Sequence, residues 1–188
     1  MSESSKKSSD LAEHTQQNTL AVDVLRIRDI ELSDLAVLLA PYQLKLQLAE
    51  PDQVIPGSFW GDEEAGLIGN TLYIRPDTPI HSALHEAGHY ICMSPDRREQ
   101  LDTNAGGDYD EENGVCYLQI LLADELKGLN KSRMLADMDQ WGYSFRLGSA
   151  RKWFEQDAED ARNWLINMGI IDENGRPRGQ LASATKPS

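Results

Sequence analysis

The sequence predicts an α+β fold, in which a small antiparallel-rich sheet comes first and several helices follow. Leu44, Leu46 and Leu48 recur at every second position, which is the period of a strand. A β-hairpin is predicted next, with one arm at Ser58-Phe59-Trp60, a GDEEAG turn, and a second arm from Leu67 to Ile74. Beyond it the apolar spacing becomes helical, and helices are predicted over about 80–93, 110–126, 131–141 and 148–169.

Both ends of the chain are expected to lie outside the folded domain. Residues 1–19 are polar and rich in serine, a composition typical of disorder. Residues 173–188 are expected to form a flexible tail, because their last part contains two prolines and no acidic residue. The folded domain is therefore predicted to span 20–172. Its first helix is expected to begin at Ser33 and to end before Pro41.

The composition argues against several classes of function. The 188 residues include 31 Asp and Glu against 18 Lys and Arg, a formal net charge of −13, whereas a nucleic-acid-binding protein needs clustered cations. No apolar run approaches the roughly 20 residues of a membrane-spanning helix, and the N-terminus lacks the apolar stretch of a secretory signal. Two cysteines do not make a disulfide framework. These features indicate a cytoplasmic protein that binds neither nucleic acid nor membranes.

The strongest functional signal is the motif H-E-x-x-H, formed by His85, Glu86 and His89. On a helix, residues four apart lie on one face, so both imidazoles can reach one metal ion. Glu86 is rotated about 100° from His85, which would place it beside the metal, where it can act on a water molecule. The alternative is a helix that carries two histidines by chance.

A catalytic zinc site needs a third protein ligand and one open position. The segment after the motif contains seven carboxylates between residues 102 and 126 and no Lys or Arg. In a helix starting near residue 110, Glu111 shares the face of Val115, while Glu112 lies in line with Gln119. This phase favours Glu111 as the third ligand and leaves Glu112 as the alternative.

The sequence HEAGH followed by a glutamate helix resembles the gluzincin branch of the zincin metallopeptidases, and most of all the small single-domain ImmA/IrrE-type group. In that group the second helix carries a glutamate, a small residue three positions later, an aromatic residue and a Leu-Leu pair. The corresponding residues here are Glu111, Gly114, Tyr117 and Leu121-Leu122. The resemblance covers about 66–126 and supports Glu111 as the ligand.

The resemblance also has limits. Val115 stands where the group usually has an asparagine, and the helix–turn–helix DNA-binding part often joined to such proteins is not recognisable. The pentapeptide HEAGH also resembles that of membrane-anchored ATP-dependent proteases, whose ATPase and membrane segments are absent from this sequence.

The resemblance implies a zincin-like minimal metallopeptidase domain that binds Zn²⁺ through His85, His89 and Glu111. It implies hydrolysis of a peptide bond, with Glu86 as the general base that takes a proton from water. It further implies that the strand from Leu67 to Ile74 binds the substrate backbone as a sheet edge.

Peptide hydrolysis also needs a donor for the developing oxyanion. Similar enzymes take this donor from a later segment, which makes Tyr143 and Arg146 the preferred candidates here. Packing of an aromatic loop between helices is the alternative for both. His81 is expected to be a residue of the helix start rather than a ligand, and Cys92 to pack in the core.

Together these inferences predict a zinc-dependent peptidase that acts on a restricted intracellular protein or peptide target. The alternative is a catalytically inactive zincin-like domain that serves as a binding or regulatory module.

Overall fold

The structure is a computed structural model that describes residues 23–58, 63–102 and 104–183. In the described part the chain forms three strands and seven α-helices, with two short 3₁₀ turns at Ile27–Asp29 and Ala40–Tyr42. The strands are β1 (Lys45–Leu48), β2 (Gly66–Ile68) and β3 (Thr71–Ile74). The helices are α1 (Leu32–Leu39), α2 (Ile80–Cys92), α3 (Pro95–Glu99), α4 (Tyr109–Glu125), α5 (Lys131–Trp141), α6 (Ala150–Gln156) and α7 (Glu159–Asn167).

The predicted α+β class is confirmed, and the helices after the sheet lie close to their predicted positions. The region predicted as one helix over 148–169 is divided into α6 and α7, because the backbone leaves helical geometry at Asp157 (φ −141°). The short helix α3 follows α2 directly and was not predicted. Helix α1 begins at Leu32, one residue before the expected start, and ends before Pro41 as predicted.

The sheet is mixed rather than antiparallel-rich. Its strand order is β1-β3-β2, with β1 parallel and β2 antiparallel to β3. The segment predicted as a single strand from Leu67 to Ile74 is itself the hairpin, because the chain turns at Gly69 (φ +55°) and Asn70. The other predicted arm, at Phe59-Trp60, lies outside the described residues. Since β3 is the central strand, only β2 of the predicted substrate-binding segment is at a sheet edge, and residues 56–58 pack against it.

Helix α2 lies in the centre of the domain and packs against β2, β3, α4 and α5. Its side chains Ala83, Leu84, Ala87 and Ile91 are fully buried. A Cβ atom on Gly88 would lie 3.0 Å from Cγ1 of Val115, so glycine permits the close approach of α2 to α4. This contact brings the middle of α2, with its two motif histidines, against the first half of α4.

The C-terminal segment differs from the expected flexible tail up to residue 183. The backbone N–H of Arg178 donates to the carbonyl of Ile170 at 2.9 Å, and that of Ala182 donates to Ile91 at 2.9 Å. Ala182 is 1% exposed. The folded domain thus extends past residue 172. The predicted N-terminal tail, residues 1–19, lies outside the described residues, and none of the described helices is long and apolar enough to cross a membrane.

Candidate metal centre

The two motif histidines converge at the contact between α2 and α4. Nε2 of His85 and Nε2 of His89 are 3.1 Å apart, and the two rings are almost perpendicular. The i, i+4 spacing places both imidazoles on the face of α2 that meets α4. The expected pairing of these two side chains is therefore present.

Glu112 completes the cluster. Its Oε2 lies 3.8 Å from Nε2 of His85 and 3.6 Å from Nε2 of His89. Within the described ranges, these three residues form the group whose ligand atoms could hold one metal ion. A tetrahedral ion bound at about 2.0–2.2 Å would place its ligands about 3.3–3.6 Å apart, so the observed separations fit such an ion after small movements.

The structure does not bring Glu111 to the histidine pair, in contrast to the sequence prediction. Oε2 of Glu111 instead accepts a hydrogen bond from Nη1 of Arg97 at 2.6 Å. The helical phase was misleading because α4 is covered on nearly all sides, with every residue from Gly114 to Ala123 buried. A buried position on such a helix therefore does not say which neighbour the side chain faces. The alternative that the phase left open, Glu112, is the glutamate that faces the histidines.

A loop before α4 orients the Glu112 carboxylate. The backbone N–H of Gly107 donates to Oε1 of Glu112 at 3.2 Å, which leaves Oε2 toward the histidines. Arg97 holds this loop, because its Nη2 donates to the carbonyls of Ala105 (3.1 Å) and Gly106 (2.9 Å). Arg97 thus binds both Glu111 and the loop. Because the same loop donates to Glu112, the ion pair between Arg97 and Glu111 indirectly supports the position of Glu112.

Gln119 orients His85 and was not predicted as a site residue. Its Oε1 lies 2.7 Å from Nδ1 of His85, while its Nε2 faces the carbonyl of His81 at 3.5 Å. With the amide in this orientation, Nδ1 of His85 donates the hydrogen bond and Nε2 remains unprotonated. Such a partner fixes the tautomer of a metal-binding histidine. The sequence feature that could have indicated Gln119 is that it shares a helical face with Glu112.

The surroundings keep both histidines neutral at pH 7. Burial lowers the pKa of His85, partly offset by the hydrogen bond to Gln119 and the charge of Glu112. Burial also lowers the pKa of His89 well below its ordinary range. Neutral imidazole is the form that binds a metal, so neither imidazole has to lose a positive charge before it binds one.

Glu86 lies beside this cluster, in the wall of a cavity of about 390 Å³. The cavity is also lined by Glu64, His85, Trp141 and Tyr143. Burial raises the pKa of Glu86 to about 8, and the charges of Glu64 and Glu112 add to the shift. The positive charge of a bound cation would oppose this shift. Glu86 is therefore placed in a cavity next to the cluster, as the motif predicts.

Tyr143 and Arg146, the two predicted oxyanion donors, lie in different places. Tyr143 lines the cavity with Glu86, and its hydroxyl is 3.2 Å from Nδ1 of His81. Burial raises the pKa of Tyr143, so the phenol keeps its proton. Arg146 is not among the residues that line this cavity; its Nε donates to Oδ2 of Asp157 at 2.9 Å, in a separate surface cavity.

His81 and Cys92 lie where the sequence analysis expected them. His81 is in the first turn of α2 and is 1% exposed; it is not part of the group that could hold a metal. Cys92 is a free thiol, 1% exposed, and burial raises its pKa well above the ordinary value. A buried, protonated thiol packs as a small apolar side chain.

Glu64 lines the cavity and was not predicted as a site residue, because the GDEEAG segment was interpreted as a turn. Trp141 donates to it through Nε1, at 3.2 Å from Oε1. Burial raises the pKa of Glu64, and this hydrogen bond acts in the opposite direction.

Comparisons with protein-family models, with curated proteins and with solved structures found no match to this chain.

Proposed function

We propose that this protein is a zinc-dependent peptidase in which His85, His89 and Glu112 hold the metal and Glu86 acts as the general base. The observation that carries the proposal is the convergence of three neutral or anionic donor atoms, between 3.1 and 3.8 Å apart, next to a cavity that contains Glu86. The same function follows from the gluzincin resemblance, with Glu112 replacing Glu111 as the proposed third ligand.

The donor set fits zinc. Two imidazoles and one carboxylate are the ligands of a catalytic zinc site with one open position, and the hydrogen bond from His85 to Gln119 is a typical outer contact. A zinc ion bound there would supply a Lewis acid, able to polarise the scissile carbonyl and to lower the pKa of water.

Glu86 takes a proton from the attacking water and later passes it to the leaving amine. It lies on α2 one residue after His85, in the wall of the cavity that would receive the peptide. A bound cation would oppose the rise that burial gives to the pKa of Glu86, which leaves the carboxylate able to accept a proton and then release it.

Tyr143 donates a hydrogen bond to the developing oxyanion. It keeps its proton because burial raises its pKa, and its hydroxyl already lies near His81 in the cavity wall. A preorganised donor of this kind acts strongly in a site from which water is excluded.

The target is proposed to be a restricted intracellular protein.

The test is the substitution Glu86→Gln, which removes the base and retains the size of the side chain. Zinc-loaded wild-type and variant proteins are incubated with a library of peptides, and new termini are identified by mass spectrometry. We expect cleavage by the wild type only, with equal zinc content in both proteins. Glu155→Gln, an exposed glutamate on α6, is the matched control and should cleave like the wild type.

Two results contradict the proposal in different ways. Cleavage that survives Glu86→Gln contradicts the role of Glu86. A wild-type protein that holds zinc and binds peptides without cleaving any of them favours a zincin-like binding module instead.

A further inference from the structure

We propose that Glu64 determines specificity by binding a cationic nitrogen of the substrate, either the terminal ammonium group of a peptide or a Lys or Arg side chain beside the scissile bond. This inference rests on the proposed function, because it places the substrate in the cavity next to His85 and Glu86.

The described side chains that line the cavity include acidic groups and no Lys or Arg. The carboxylates among them are those of Glu64 and Glu86. His81 also lines the cavity and is neutral at pH 7, since burial lowers its pKa to about 3. The described side chains of this lining thus contribute no positive charge that would repel a cationic group near Glu64.

Glu64 is available to such a group, whereas its neighbour is not. Oε2 of Glu63 is paired with Nη1 of Arg26 at 2.7 Å. Glu64 accepts one hydrogen bond from Nε1 of Trp141, and within the described ranges it has no ion pair with a Lys or Arg. The two consecutive glutamates thus differ in that only Glu64 brings an uncompensated charge to the cavity.

Two hydrogen bonds fix the position of Glu64, one at the next residue and one at its carboxylate. The next backbone N–H, that of Ala65, donates to Oγ of Ser82 at 3.0 Å in the buried contact with α2. Ser82 lies one turn before Glu86 on that helix, and Nε1 of Trp141 donates to the Glu64 carboxylate. Glu64 is therefore held beside the base and does not depend on a mobile side chain to reach the substrate.

The Trp141 indole, which also lines the cavity, suits a peptide cation. It offers an apolar face for the carbon chain that carries the cation, or a cation–π contact.

The test is a binding measurement that does not require hydrolysis. The full chain, loaded with zinc and carrying Glu86→Gln, is titrated into fluorescent peptides that differ in one cation. One pair compares lysine with norleucine, and a second pair compares a free with an acetylated N-terminus, so that the two sources of the cation are separated. The same titrations are made after adding Glu64→Gln, or Glu63→Gln as the matched control.

We expect one of the two cationic peptides to bind about 10-fold more tightly than its neutral partner, as one charge-assisted contact provides. Glu64→Gln should remove this preference, and Glu63→Gln should retain it. Equal binding within both pairs, binding of no peptide, or a preference that survives Glu64→Gln overturns the role of Glu64. A retained preference in a wild-type protein that cleaves nothing contradicts the peptidase and leaves the role of Glu64 standing.

Discussion

Oε2 of Glu112 lies 3.6 Å from Nε2 of His89, although the adjacent Glu111 is the more buried of the two glutamates. The Glu111 side chain is 10% exposed and is paired with Arg97, whereas that of Glu112 is 40% exposed. A catalytic metal site must stay open on one side, so the more exposed carboxylate is the one suited to the ligand position.

Gln119 is predicted to set the zinc affinity through His85. In Gln119→Leu the Nδ1–H of His85 loses its acceptor, and the ring is no longer held with Nε2 toward the metal. We expect a loss of zinc affinity of about 10- to 100-fold, the usual effect of removing such a partner. The measurement is a competition titration against a zinc chelator.

Gln119→Glu is the control for this experiment, because a carboxylate still accepts the hydrogen bond from His85. It should bind zinc more tightly than Gln119→Leu does. Equal zinc affinity in the wild type and in Gln119→Leu would show that Gln119 only fills space.

Tyr143 and Arg146 are predicted to differ in their effect on catalysis. Tyr143→Phe removes the hydroxyl from the cavity and should lower kcat by about 100-fold or more, as the loss of one oxyanion donor does. Arg146→Ala should leave kcat unchanged, because Arg146 is paired with Asp157 away from the cavity.

Steady-state rates on a peptide identified in the cleavage screen measure both effects, with zinc content determined in parallel. A large loss of kcat in Arg146→Ala and none in Tyr143→Phe would reverse the assignment of the two residues.

Gly107 is predicted to tolerate no side chain. A Cβ atom there would lie 2.4 Å from Cδ of Glu111, so Gly107→Ala must displace either the Glu111 carboxylate or the loop that holds Glu112. We expect a loss of about 1–3 kcal/mol in the free energy of unfolding, typical of overpacking, together with weaker zinc binding.

Gly106→Ala is the neighbouring control, since the nearest atom to its Cβ would be Oδ1 of Asn104, at 3.1 Å on the exposed side of the loop. Denaturant unfolding and zinc titration should show the larger loss for Gly107→Ala. A stable Gly107→Ala variant with normal zinc affinity would contradict the proposed support of Glu112 by this loop.

His81 is predicted to make the metal-free protein sensitive to acid. Burial lowers its pKa from the ordinary 6.5 to about 3, so between these values the unfolded chain binds a proton that the folded chain does not. His81 therefore does not lower the free energy of unfolding above pH 6.5. Below that pH it lowers this free energy, by up to about 1.4 kcal/mol per pH unit as the pH decreases toward 3.

The measurement is denaturant unfolding of the chelator-treated protein across this pH range, with His81→Gln as the comparison. The variant should show a smaller slope of stability against pH, whatever its stability at pH 7. Parallel slopes would contradict a lowered pKa of His81 in the folded protein.

The fold class and the helices were predictable because their signals are local. The spacing of apolar residues marks the helices α2, α4 and α5, and the motif on α2 places the two histidines on one face. The sheet was predicted less well. The pair Gly69-Asn70, which is typical of a hairpin turn, was included in one predicted strand, and the parallel pairing of β1 with β3 joins residues far apart in sequence.

The choice between Glu111 and Glu112 depended on contacts that helical phase does not contain. Helical phase predicts that a side chain points inward. Whether that side chain then meets Arg97 or the histidine pair depends on how α3 and α4 pack. Glu64 was missed for the same reason, because its approach to α2 comes from the hydrogen bond between Ala65 and Ser82.

The central claim is that His85, His89 and Glu112 bind one zinc ion. The most direct measurement is a crystal structure of the zinc-loaded protein, with anomalous diffraction recorded on both sides of the zinc absorption edge. We predict a single strong zinc peak between Nε2 of His85, Nε2 of His89 and Oε2 of Glu112, at about 2.0–2.2 Å from each. The absence of a zinc peak at the histidine pair, or a peak bound by Glu111 with Glu112 turned away, would contradict the account.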